Sequence, residues 1–149
     1  MDAARLLYEG PWVTERYIAA KDLVDNQPQS LLDVIRTIIE PGKTHKATDV
    51  YSAMYQLLEY KQQTDAVLTG VDFLITPTAG TIYDIEQVNQ DPIKLNSNLG
   101  YYTNYMNLLD YSAIALPYSL NEDKTPFGVT IVSQAFADNQ LISFAKKWQ

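Results

Sequence analysis

Apolar residues along this chain keep a helical spacing up to about residue 70 and then gather into short runs. In the first stretch, Val13, Tyr17, Ile18 and Ala20 face one way, and Pro11 suits a first helical turn, so a helix is expected over 11–24. "DNQPQS" ends it as a loop. Leu31, Leu32, Ile35, Ile38 and Ile39 predict a second helix over 31–39, stopped by "EPGK". Val50, Met54, Leu57, Leu58, Thr64 and Val67 recur near helical period and predict a long helix over 48–68, with Gly70 as its C-terminal cap. Ahead of these, "DAARLL" reads as the middle of another helix.

Beyond Gly70 the grammar changes. "VDFLITP" (71–77) and "SAIALP" (112–117) are short apolar runs closed by proline, and "FGVTIVS" (127–133) is a third β-rich run. A short helical piece at 84–89 and a helix over 96–109 separate the first two runs, and an amphipathic helix over 139–148 closes the chain. Helices alternating with buried strands predict an α/β fold with an at least partly parallel sheet, in a single domain or partial domain spanning 1–149.

Composition narrows the partners. The 149 residues carry a net charge of −7 and only three arginines, Arg5, Arg16 and Arg36, so no basic face exists with which to release phosphate counterions. Nucleic acid and anionic membrane are excluded on that ground. The chain has no cysteine, which removes thiolate nucleophiles and sulfur-ligated metals and points to the cytoplasm. No apolar stretch approaches the roughly 20 residues that span a bilayer. Neither a metal cluster nor a phosphate loop has its spacing here, and no cofactor is expected.

Candidate chemistry is sparse. The one histidine, His45, lies in the polar loop "PGKTHKA" and reads as a surface residue rather than a base for a serine nucleophile. "SFAK" (143–146) matches a Ser-x-x-Lys pattern but stands on an amphipathic helix without companion motifs. Thr76-Pro77-Thr78 puts hydroxyls and amides at a strand tip, either as part of a site or as a plain turn exit. Tyr101, Tyr102, Thr103, Asn104 and Asn107 offer polar groups on a helix that also suits the core. Tyr8 and Arg16, in "LLYEGPWVTERY", are the pair best fitted to bind a ligand. A guanidinium beside aromatics can hold a planar carboxylate through two parallel hydrogen bonds, and a phenol can donate to an acyl oxygen. The plainer reading of the pair is an intrahelical bridge from Arg16 to an acid and a packed Tyr8.

The stretches "AARLLYEGPWVTERY", "VDFLITPTAGTIYDIEQVNQDPIKLNSNLGYYTNYMNLLDYSAIALP" and "TPFGVTIVSQAFADNQLISFAKKW" together resemble the C-terminal part of an amidase-signature domain of the allophanate-hydrolase branch. "YEGPWVTER" and "DPIKLNSNLGYYTNYMNLLD" are the stretches specific to that branch. "LITPT", "AIALP" and "PFGVTIV" followed by Asp138 and Leu141 are common to the wider family.

The resemblance implies a partial amidase-signature fold with a mixed sheet of about three strands. It also implies a hydrolase that cleaves a C–N bond with a Ser-cisSer-Lys triad. Those catalytic residues belong to a Gly- and Ser-rich signature in the family's N-terminal half, which this chain lacks, so no catalytic residue is assigned and the chain alone is expected to be inactive. The substrate implied is allophanate, hydrolysed with release of ammonia and carbon dioxide in urea degradation, downstream of a biotin-dependent urea carboxylase. In that branch a tyrosine and an arginine spaced as Tyr8 and Arg16 bind and orient it. The partners expected are therefore allophanate and the N-terminal amidase half, and a homo-oligomer stays open. The family's C-terminal extra domain is also expected to be missing, since the chain stops just past the last helix. Another amidase-signature amidase, an amidotransferase subunit, or a non-catalytic structural remnant are the alternatives.

Overall fold

Two compact units divide the chain, Met1–Tyr60 and Lys61–Gln149. The computed structural model describes residues 2–148 of them.

The first unit is helical. It holds α1 (Asp2–Tyr8), α2 (Val13–Ala19), α3 (Lys21–Asn26), α4 (Asp33–Ile39) and the start of α5 (Ala47–Leu68). The helix expected over 11–24 is thus two helices, separated at Ala20, whose φ of −105° and ψ of 13° leave the helical region. Neither glycine nor proline stands at that break, so periodicity ran through it. Gly42 explains how the next turn comes so close to α2. A Cβ there would lie 2.7 Å from the Val13 carbonyl oxygen and 2.8 Å from Tyr17 Cβ, so only glycine fits. Thr14 Oγ1 seals the approach by donating to the Gly42 carbonyl at 3.1 Å.

The buried apolar residues of this unit are Ala3, Leu6, Val13, Val24 and Ala53, mostly small. Several residues whose spacing pointed to the core lie in water instead: Ile18, Leu32, Ile35, Met54 and Leu58 are exposed, and α4 buries no residue fully. Small side chains fill the contacts that these helices make, so the larger ones on their other faces find no cover within the unit.

The second unit contains the strands. β1 (Leu74–Pro77) is followed by α6 (Ile85–Gln90) and α7 (Pro92–Leu99), then β2 (Ser112–Leu120), β3 (Pro126–Ser133) and α8 (Asp138–Ala145). The α/β class and the three-stranded sheet stand as expected. The pairing differs: the order is β1-β3-β2, and both pairings are antiparallel. β1 and β2 do run the same way, but β3 folds back from β2 as a hairpin and takes the place between them. The "NEDKT" turn dictates that reversal. Asn121 N–H donates to the Thr125 carbonyl at 2.8 Å, Lys124 adopts a φ of 66°, and the Asp123 carboxylate accepts from Thr125 N–H at 2.9 Å. β2 also continues past Pro117 through a bulge between Pro117 and Ser119.

The helix expected over 96–109 starts and ends early. The Asp91 side chain accepts from Lys94 N–H and Pro92 occupies the first turn, so α7 begins at "DP". Gly100 closes it, and residues 100–110 run as turns. Ile131 and Val132 on β3, with Leu141 on α8, form the fully buried centre, joined by Val129, Met106 and Leu109. Among the described residues, no helix is long and apolar enough to cross a membrane.

Candidate functional site

The bend that "YEGP" makes brings Tyr8 and Arg16 together. α1 stops at Tyr8, and at Gly10 a Cβ would strike the Leu6 carbonyl oxygen, so the chain can fold back on α1 only with glycine there. Pro11 and Trp12 then lead into α2, on which Arg16 sits. The Arg16 guanidinium carbon lies 5.6 Å from the centre of the Tyr8 ring, a cation–π distance. No carboxylate among the described residues forms an ion pair with Arg16, so the intrahelical bridge is not what holds it. Tyr8 is 43% exposed and Arg16 half-buried, which leaves both within reach of a ligand.

A knot of charges one residue further along α2 holds that helix in place. Asp25 pairs with Lys21, with Lys43 at 2.9 Å, and accepts from the Tyr17 hydroxyl at 2.8 Å. Lys21 and Lys43 lie 5.3 Å and 5.6 Å from the centre of the Tyr17 ring. Hydrogen bonds from Lys21, Lys43 and Tyr17 hold the Asp25 carboxyl below the usual carboxylate range, and Asp25 raises both lysines above the usual amine range. Tyr17, Lys21 and Asp25 follow one another at i, i+4 spacing, a legible signal that periodicity of apolar residues alone passes over.

Other candidates have other work. Ser143 Oγ donates to the Asn139 carbonyl at 2.7 Å, a bond back along its own helix, so "SFAK" forms no nucleophile. Thr78 serves the sheet: its N–H donates to the Gly128 carbonyl at 3.0 Å and its hydroxyl meets that of Thr130 at 2.9 Å. Thr103 Oγ1 reaches the Gly100 carbonyl at 3.5 Å, and the Asn104 side chain occupies the space a Cβ at Gly100 would need. His45 is half-buried and has no predicted role.

An open groove of about 1240 Å³ lies within the second unit, along Thr78, Asp84, Tyr118, Asp123, Phe127 and Trp148. Its lining includes two carboxylates and no lysine, arginine or histidine. An anionic substrate would be repelled there.

An α/β fold is widespread, and the comparisons narrow it. The Amidase family model matches residues 8–142, and the chain belongs to that family. Urea amidolyase of Saccharomyces cerevisiae is 35% identical over 99% of this chain, which spans 8% of the yeast protein. Allophanate hydrolase of Kluyveromyces lactis superposes with a TM-score of 0.92 at 36% identity, over 99% of this chain and 24% of that one. Urea amidolyase of Kluyveromyces lactis superposes at 0.93, again at 36% identity and over 99% of this chain, covering 9% of its own. The chain is therefore similar to one segment of much longer proteins.

Proposed function

We propose that this chain is the substrate-orienting segment of an allophanate-hydrolysing amidase, which cleaves a C–N bond of allophanate with release of ammonia and carbon dioxide in urea degradation. Arg16 holds the substrate carboxylate through two N–H donors, and the Tyr8 hydroxyl donates to an oxygen of the flat urea-like group. Together they turn the scissile carbonyl toward a serine supplied by another segment of the amidase domain. This chain by itself is inactive. A biotin-dependent carboxylation of urea supplies the substrate, and the compartment is the cytoplasm.

The observation that carries this reading is the Arg16 guanidinium 5.6 Å from the Tyr8 ring centre, with no carboxylate pairing among the described residues. Stacking on one face leaves the guanidinium's edge N–H groups for a planar acid, and similarity to allophanate hydrolase over 99% of the chain supports that acid being allophanate.

The test is ammonia release from allophanate by this chain alone and by its mixture with the N-terminal amidase half. Activity is expected in the mixture only, with allophanate preferred over simple amides. Arg16→Ala in the mixture should cost about 2 to 4 kcal/mol in kcat/KM, with Arg16→Lys recovering only part of it. Release by the chain alone, or an Arg16→Ala mixture as active as the parent, would overturn the reading.

A further inference from the structure

Helix α5 carries large apolar residues on two opposite faces, and the protein covers only one. Ala53 is buried and Leu57 half-buried on the inner face. Tyr51, Met54, Tyr55 and Leu58 follow i, i+3, i+4, i+7 spacing, share the outer face, and are between 46% and 65% exposed. Single exposed apolar residues are ordinary on any surface. Four in one stripe, two of them aromatic, form instead the seat that an amphipathic partner takes.

We infer that this stripe is the docking face for an apolar face of an amidase-domain segment that lies outside this chain. The inference rests on the reading that the chain works with the rest of an amidase domain, and it names the surface through which it does so. Two observations select that occupant. The Kluyveromyces lactis allophanate hydrolase superposes on 99% of this chain yet this chain covers 24% of it, so the same fold there stands beside much more chain. A second copy is the poorer occupant, because each copy brings a net charge of −7 to the contact. An apolar stripe with aromatic anchors at its centre also has the composition of an interface core.

Sedimentation of the 149-residue chain with a separately purified amidase segment of Kluyveromyces lactis allophanate hydrolase, taken from outside the matched region, tests this. A complex is expected. The double variant Tyr55→Glu with Leu58→Glu should weaken it by about 30-fold or more, and Ser52→Glu on an adjacent face by about threefold or less. Ser52, Tyr55 and Leu58 are all solvent-exposed, and circular dichroism should read the same in each variant. Should the glutamate pair alter the spectrum, Tyr51→Ser with Met54→Gln decides in its place.

No complex with the parent chain, or a complex that the stripe variants leave intact, overturns the inference. So does a dimer of this chain alone that the stripe variants dissolve, which would seat a second copy instead. The substrate reading fails separately: a complex broken by the stripe variants but silent toward allophanate leaves the docking face standing and removes the substrate.

Discussion

Strand β3 and helix α5 are both apolar, yet they occupy opposite environments. β3 lies between β1 and β2 in the sheet, with Ile131 and Val132 wholly shielded from water. α5 is the longest helix, 22 residues, and buries only Ala53. The residues of the strand from Val129 to Ser133 are buried whichever face they point to, whereas Tyr51, Met54, Tyr55 and Leu58 of the helix stay exposed. Apolar periodicity reports that a face wants cover; it does not report whether the chain supplies it.

The comparison can be broken most directly at its buried end. Ile131→Ala should lower stability by about 2 to 5 kcal/mol, read as a shift in the urea midpoint, because a fully enclosed side chain leaves a cavity. A shift no larger than that of a surface substitution would mean that β3 is not the centre of the core. Gly42→Ala should cost about 1 to 3 kcal/mol, since its Cβ would press on the Val13 carbonyl and Tyr17 Cβ and displace the turn that steadies α2. The same substitution at Gly70, where nothing lies within 4 Å, is the control.

The next test lies in the lower half of α5. The Tyr111 hydroxyl is 2.6 Å from Thr64 Oγ1 and 2.9 Å from Asp65 Oδ1, and Lys61 Nζ donates to the Leu109 carbonyl at 2.9 Å. Burial, first, and the bond to Asp65 push the Tyr111 phenol up from 10.0 to about 12. Its folded value is therefore the higher one. The contribution is complete below pH 10.0 and is lost as pH rises toward about 12, where the unfolded chain has already given up the proton. Absorbance of ionised tyrosine should lose one late-titrating phenol in Tyr111→Phe, at a stability cost of about 0.5 to 1.5 kcal/mol, while that of Tyr105, which burial also raises, remains.

The smallest effect is expected on the outer face of α5. Leu58→Ala should change the stability of the chain alone by no more than about 0.5 kcal/mol, because that side chain is already in water. A loss like that at Ile131 would place Leu58 in a core and erase the contrast between strand and helix.

Local signals reached the elements wherever local physics decides them. The three β-rich runs became β1, β2 and β3, and residues 48–68 became α5 within a residue. "YEGPWVTER" singled out Tyr8 and Arg16 as candidates, and the Gly10 bend brings the two to cation–π distance. The misreadings fall where apolar spacing passes over a break, a cap or a partner distant in sequence. The break at Ala20 carries no glycine or proline, and the passage of β2 beyond Pro117 depends on its partner β3 across the bulge.

What the sequence alone determined is therefore the three β-rich runs, the long helix α5 and the nearness of Tyr8 to Arg16 along the chain, because each depends on residues close in sequence. Tertiary structure decided that β3 enters between β1 and β2, that small residues make the helical contacts of the first unit, and that one face of α5 stays in water. Those outcomes depend on which surfaces meet, and the free energy of burying a face exists only once a second surface arrives to exclude the water.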